Sequence, residues 1–307
     1  MLQLYLAIWR VSGRRQLVLI ALSISIAALA AVPLKFQQQI VNALTDGVAT
    51  AQTIFWLGVG MSAAILLSLS LKWLMGVRSG VLGEDIIRLL RKRLYADTNR
   101  CKADPKAIQT GTLTTAISAE AEELGKFAGS AFSEPVVQIG TLISVIGFIV
   151  STQPGLGAIA LSMIVPQVVL VLFTQSKINS LVANRVRILR HATNKISTSD
   201  VTEISQAVLD EFDRIFETRK QMFKWKLSTK FLLSSINGAG TVAVLMLGGW
   251  LVLQDQTDVG TVVAATLGLS RLQAPTAFLI AFYRQVSANR VKFELLRDIL
   301  PPRDNTR

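Results

Sequence analysis

Six apolar segments, each approaching or reaching the length of a membrane span, alternate with short turns and two long basic stretches. A helix needs about 20 consecutive apolar residues to cross a bilayer. The segments occupy approximately residues 17–36, 54–77, 135–151, 156–173, 231–253 and 259–283. Charged residues make up only 17% of the chain, whereas soluble domains usually carry about a quarter. The sequence therefore predicts an all-α polytopic membrane protein with six long transmembrane helices.

The connections between these segments differ in charge. The three short connections contain Asp46, Asp255 and Asp258 and no Lys or Arg. The two long connections, residues 78–134 and 174–230, are rich in both. Because cytoplasmic loops carry an excess of Lys and Arg, we expect both long loops and both termini on the cytoplasmic side of the cell (inner) membrane.

The excess of Lys and Arg in cytoplasmic loops also explains the formal net charge of +12. We therefore expect no nucleic-acid partner. Cys101 and His191 are the single cysteine and the single histidine of the sequence. One cysteine cannot form a disulfide within one chain, and a Cys/His metal cluster cannot be assembled from this pair. We therefore expect neither a metal site nor a bound cofactor in this chain.

The ends of the chain differ from its centre. Residues 1–16 are amphipathic, with Leu, Ile and Trp followed by three Arg, which predicts a short interfacial helix before the membrane domain of residues 17–300. A signal peptide is the alternative, because basic residues precede an apolar stretch that ends in small residues. Residues 301–307 form a polar tail.

The tips of both long loops have the pattern of short capped helices. Residues 200–230 are strongly charged but have an apolar stripe at helical spacing, and Asp200 followed by Glu203 is a capping pattern. In the first loop, Asp104-Pro105 begins a helix that Gly111 ends. These tips are candidates for contact with a partner outside the membrane. The alternative is that the stripe only packs against neighbouring helices.

Several polar residues lie within the apolar segments. Arg271 is 12 residues from Val259, about 18 Å along a helix and close to the midplane. There it either lines a transport path or pairs with a carbonyl or carboxylate. Lys35 and Lys72 lie nearer the interfaces, where long side chains snorkel. Amides at this depth usually join helices by hydrogen bonds. The candidate cavity residues are Lys72, Gln138, Asn237, Arg271 and Gln273.

Three stretches resemble the membrane domain of ATP-binding-cassette exporters with six spans and long intracellular loops. Residues 111–120 resemble the family's Gly-x-Leu-x-x-Arg-Ile-x-x-Asp, with Ala116 and Glu120 at the Arg and Asp positions. Residues 203–223 resemble its second docking helix. The sixth segment is similar from Val259-Gly260-Thr261 through Arg271 and Pro275 to residues 288–296. Ala107-Ile108 stands where the family usually has an aromatic pair.

The resemblance implies that two copies, or this chain and a paralogue, form a dimer that exchanges helices. It also implies that a separate nucleotide-binding subunit docks on the two loop tips. The residues that would couple the chain to this ATPase are Asp104, Pro105, Ala107, Ile108, Gly111, Thr202, Glu203, Ser205 and Gln206.

The 307 residues contain no Gly-x-x-x-x-Gly-Lys-Ser/Thr phosphate loop. We therefore expect no enzyme activity in this chain, with ATP and Mg²⁺ bound by the partner. The predicted function is the permease subunit of an ATP-driven exporter that works by alternating access. The basic residues in the spans favour an amphipathic, anionic or lipid-like substrate. One alternative is a membrane scaffold or regulator that keeps the fold without pumping. An ion-coupled transporter is less favoured, because the spans hold no carboxylate away from their ends.

Overall fold

The computed structural model describes residues 2–47, 50–101, 120–198 and 206–299, and in these ranges the chain forms eight α-helices. They are α1 (Leu2–Leu29), α2 (Val32–Thr45), α3 (Ala51–Cys101), α4 (Ala121–Ser130), α5 (Ser133–Thr152), α6 (Pro154–Thr198), α7 (Gln206–Leu253) and α8 (Val259–Ile299). Within the same ranges, six helical stretches are long and apolar enough to cross a membrane. The predicted all-α fold with six long apolar helices is therefore confirmed.

The short connections α2–α3, α5–α6 and α7–α8 mark one end of the bundle, which we call the turn end. The opposite end, towards which the long connections lead, is the loop end. Helices α3, α6, α7 and α8 contain 51, 45, 48 and 41 residues. They are therefore about 60 to 75 Å long, roughly twice the thickness of a bilayer's hydrocarbon core. These helices continue well beyond a membrane at the loop end.

The first span is two helices rather than one. Helix α1 ends at Leu29, and α2 starts at Val32 with Pro33 in its first turn. Proline suits that position because it lacks an N–H and has a fixed φ. The N–H groups of Leu34 and Lys35 both donate to the carbonyl of Ala31, at 3.0 and 3.2 Å. In an unbroken helix, the N–H of Leu34 would donate to the carbonyl of Ala30. Here it donates to the carbonyl of Ala31 instead.

The N-terminal segment belongs to the folded domain. Residues 2–16 form the first turns of α1 without a break. Leu4 and Ile8 are buried in the apolar core at the loop end, together with side chains from α3, α4 and α8. Phe127 of α4 is fully buried there, with its ring centroid 5.8 Å from that of Phe282. This core attaches the start of the chain to three other helices.

Helices α3 and α4 approach each other through glycines. Gly125 and Gly129 are four residues apart on α4 and face Gly83 of α3. A Cβ atom at Gly129 would stand 2.5 Å from the carbonyl oxygen of Ser79 and 3.0 Å from the nitrogen of Gly83. Such a close approach of two backbones is typical of a Gly-x-x-x-Gly contact between membrane helices. The pattern is visible in the sequence, although we did not use it for the prediction.

A second apolar core lies towards the turn end, and five helices contribute to it. Its fully buried side chains include Leu34 of α2, Val145 of α5, Leu156 of α6 and Val244 of α7. Leu272 of α8 completes this core. The two cores fix α8 along most of its length, because α8 contributes to both.

Candidate functional site

A cavity of about 730 Å³ lies between the α1–α2 break and helices α3, α5 and α8. Much of its wall is apolar, including Ile26, Leu69 and Val137. The polar side chains on its wall are those of Ser68, Lys72, Glu134, Gln138, Thr141 and Arg271. The volume lies in the range of small-molecule sites, which are mostly apolar with a few polar groups.

The polar residues of this cavity lie at different depths from the turn end. Arg271 is 12 residues from the start of α8 and Gln138 is 14 residues from the end of α5, which places them at about 18 and 21 Å. Glu134 is 18 residues from the end of α5 and Lys72 is 21 residues from the start of α3, at about 27 and 32 Å. The cavity therefore extends from mid-membrane depth towards the loop end.

Arg271 both lines the cavity and contacts the broken first span. Its Nη1 atom donates a hydrogen bond to the carbonyl oxygen of Ala30, over 3.3 Å. Because of the break before Pro33, this carbonyl does not accept the helical hydrogen bond from the N–H of Leu34. Arg271 therefore lies on the cavity wall and also bonds a backbone carbonyl, while its role in a transport path stays a prediction.

Glu134 is a cavity residue that the sequence analysis missed. In the sequence, Pro135 follows it, and this pattern is typical of an ordinary carboxylate at a helix start. The structure places Glu134 in the first turn of α5 and on the wall of the cavity. Steps of four, three and four residues lead from Glu134 to Gln138, Thr141 and Val145, all on that wall. This spacing defines one helix face and was the available signal.

Of the five predicted cavity residues, the structure brings Lys72, Gln138 and Arg271 together. Asn237 lies on α7, where its Oδ1 atom accepts a hydrogen bond of 3.0 Å from Nε2 of the buried Gln167 on α6. This contact joins two helices, as amides at such depth usually do. Gln273 lies on α8 with an exposed side chain and is not on the cavity wall.

The predicted docking residues lie almost entirely outside the part of the chain that the structure describes. Gln206 is the first residue of α7. The residues outside the described ranges are Asp104, Pro105, Ala107, Ile108, Gly111, Thr202, Glu203 and Ser205. The docking assignment therefore stays a prediction.

At the turn end, the start of α8 is tied to α2 by polar contacts. Asp258 caps α8 by accepting the N–H of Thr261 over 2.6 Å, and Asn42 Oδ1 accepts the N–H of Gly260 over 2.8 Å. Burial opposes ionisation of Asp258, but hydrogen bonds from Thr261, Asn42 and Gln38 outweigh it and lower the pKa of its carboxyl. A Cβ at Gly260 would collide with Asn42 and with the carbonyl of Gln38, which explains a glycine here.

Comparison with protein families identifies a match. The sequence profile of the family described as "ABC transporter transmembrane region" matches residues 17–276. The matched range begins at the start of the first apolar segment and ends one residue after Pro275 of α8. It contains every residue that lines the cavity. A search of curated proteins found no match to this sequence.

Proposed function

This chain belongs to the family of ABC transporter transmembrane regions, and from that membership we propose that it is the permease subunit of an ATP-driven exporter. In this proposal a separate subunit binds ATP and Mg²⁺ and hydrolyses the nucleotide. The permease moves an amphipathic substrate across the cell membrane by alternating access. Its two long loops and both termini face the cytoplasm, in accordance with their basic character.

The observation that carries this proposal is a cavity with charged walls at membrane depth. An arginine at the bilayer centre is costly when it faces lipid, so it usually faces a protein interior or a water-filled path. Arg271 and Lys72 line the same cavity from α8 and α3. Their position on one wall supports a route for a polar or charged group through the bundle.

The composition of the wall favours a substrate with both apolar and anionic parts. Arg271 and Lys72 contribute two positive charges, and Glu134 contributes one negative charge. The wall thus keeps a net positive charge, and low-dielectric surroundings strengthen its field. Glu134 reduces this charge. The positive potential of the cavity is therefore weaker than two unopposed cations would produce.

Coupling to ATP requires contacts beyond the membrane. In this proposal the loop tips around Ala107 and Ser205 receive the motion of a nucleotide-binding subunit. The long continuous helices support the idea, since α6 and α7 extend far past the apolar spans and pack along one another.

A second copy of the chain or a paralogue completes the transporter. In the single chain, Phe216 and Phe223 of α7 are 63% and 60% exposed, so they are available for such a contact.

The test compares two variants of α8 in the complex with its co-purified ATPase, reconstituted in nanodiscs. Arg271→Ala removes a charge from the cavity wall, while Gln273→Ala changes an exposed side chain two residues away. We expect Arg271→Ala to reduce the stimulation of ATP hydrolysis by anionic amphiphiles, and Gln273→Ala to leave it unchanged.

Equal stimulation of Arg271→Ala and wild type, with both folded, would refute the role of the cavity. A wild-type preference for cationic amphiphiles would refute the anionic substrate. If no ATPase co-purifies and no transport is measured, the scaffold or regulator becomes the better interpretation.

A further inference from the structure

A second polar site lies outside the transport cavity, in the groove between α1 and α3. Two adjoining cavities form this groove, one of about 470 Å³ and one of about 650 Å³. Both are lined by Arg15, Leu82 and Asp85. We propose that this groove, which we call the arginine groove, binds the headgroup of an anionic phospholipid. This inference is independent of the proposed transport function.

The arginine groove has a large excess of positive charge. Its basic side chains are those of Arg14, Arg15, Arg78, Arg88, Lys92 and Arg93. Among the described residues that line it, Asp85 is the one carboxylate. Asp85 forms an ion pair with Arg15, so five positive charges on the wall remain without a carboxylate inside the groove. Such a cluster is unfavourable by itself and favours a bound anion.

The smaller cavity, which Arg14 and Arg78 line, lies at the depth of a membrane's headgroup layer, whereas Arg88, Lys92 and Arg93 of the larger cavity lie further out along α3. Arg78 is 27 residues from the start of α3 at the turn end, about 40 Å along the helix. Arg14 is 31 residues from the end of α2, about 45 Å along α2 and α1. A bilayer is about 40 to 45 Å thick with its headgroups. Arg14 and Arg78 therefore reach the polar layer at the loop end when the turn end lies at the opposite surface.

Exposed apolar side chains lie next to the arginines in the groove. Val18 and Val81 line the same cavity as Arg14 and Arg78, and 47% and 56% of their surfaces are exposed. Val18 is four residues from Arg14, one helical turn towards the middle of the membrane. Val81 is three residues from Arg78 in the opposite direction, towards the loop end. The groove thus places exposed apolar surface beside its arginines, which fits a ligand with both a phosphate and acyl chains. A soluble phosphate would use only the arginines.

The recognition chemistry explains a preference among lipids. Arginine binds phosphate with two parallel N–H donors, so several arginines can surround one headgroup. A zwitterionic lipid brings a quaternary ammonium group into the same positive field, which offsets the attraction of its phosphate. We therefore expect phosphatidylglycerol to bind in the arginine groove and phosphatidylcholine to bind much more weakly.

The experiment uses the intact protein in detergent, titrated with either lipid and analysed by native mass spectrometry. Arg14→Gln/Arg78→Gln removes two charges from the groove but keeps the Arg15–Asp85 pair. Lys224→Gln/Lys226→Gln is the control, because these exposed residues of α7 are 29 and 27 residues from its turn end and so lie at a similar depth. We expect the groove variant to bind phosphatidylglycerol about 20- to 30-fold more weakly, and the control to lose less than threefold.

Three results would overturn the proposal. One is an equal loss in both double variants, which would show that only the overall charge near the membrane matters. Another is equal binding of the two lipids by the wild type. The third is protection of the wild type against thermal unfolding by inorganic phosphate alone, which would assign the site to a soluble anion. Arg14→Lys/Arg78→Lys checks folding, because it keeps both charges and should retain part of the lipid preference.

Discussion

A single methyl group at the α3–α4 contact tests the packing at the loop end. In Gly129→Ala, the new Cβ would lie 2.5 Å from Ser79 O, 3.0 Å from Gly83 N and 3.1 Å from Gly83 Cα. All three atoms belong to the backbone of α3, so no side-chain rotation can relieve the overlap. Ordinary contact begins near 3.4 Å, so the two helices would have to separate by roughly 0.9 Å.

We estimate the cost of this separation at about 1 to 3 kcal/mol, the usual range for overpacking a well-packed site. Alanine is favoured over glycine in a helix by about 1 kcal/mol, which offsets part of the loss. The control is Gly80→Ala on α3, where nothing lies within 4 Å of the added Cβ. There the helical preference acts alone and should stabilise the protein slightly.

The assay is thermal unfolding of purified protein in one detergent, followed by tryptophan fluorescence. With about 2 °C per kcal/mol for a chain of this size, the net cost of up to about 2 kcal/mol in Gly129→Ala should lower the unfolding midpoint by up to about 4 °C. Gly80→Ala should leave it unchanged or raise it by about 1 to 2 °C. Shifts of the same sign and size in both variants would refute the close backbone contact.

Two further predictions concern polar contacts. The pKa of Asp258 is lowered from its ordinary value of 3.8 in the folded protein, so ionised Asp258 stabilises the fold fully above that pH, and this stabilisation is lost as the pH falls through the folded-state pKa. Between pH 5 and about pH 3, the unfolding midpoint of wild type should therefore fall more than that of Asp258→Asn. Parallel curves of midpoint against pH for the two proteins would contradict this. The second prediction is that Gln167→Leu and Asn237→Leu each destabilise the protein. A double-mutant cycle should give a coupling free energy of about 0.6 to 1.7 kcal/mol for the hydrogen bond between the two side chains. Additive effects of the two substitutions would show that this hydrogen bond contributes nothing.

The number and length of the spans could be predicted because apolar length and charge bias act locally along the chain. The interruption of the first span could not. Proline is tolerated inside membrane helices when neighbouring groups satisfy the freed carbonyl. Pro166 and Pro275 lie inside continuous helices, whereas Pro33 starts a new one. These three outcomes depend on contacts with other helices, which a single sequence does not contain.

The candidate site shows the same limit. Arg271 could be identified from depth alone, because a charge near the midplane is costly anywhere in the bundle. Asn237 and Gln138 are amides at membrane depth, and the sequence does not distinguish them. In the structure, Asn237 forms a hydrogen bond with Gln167, whereas Gln138 lines the cavity. Glu134 was missed because its neighbour Pro135 gave a sufficient local explanation.

The contact between Arg271 and the carbonyl of Ala30 joins the cavity wall to the break in the first span. The carbonyl lies at the joint between α1 and α2, and the side chain that donates to it also faces the cavity. A guanidinium has five N–H donors in a fixed plane, so Arg271 can bond this carbonyl and still present donors to the cavity. One side chain is thus shared between the broken first span and the cavity wall.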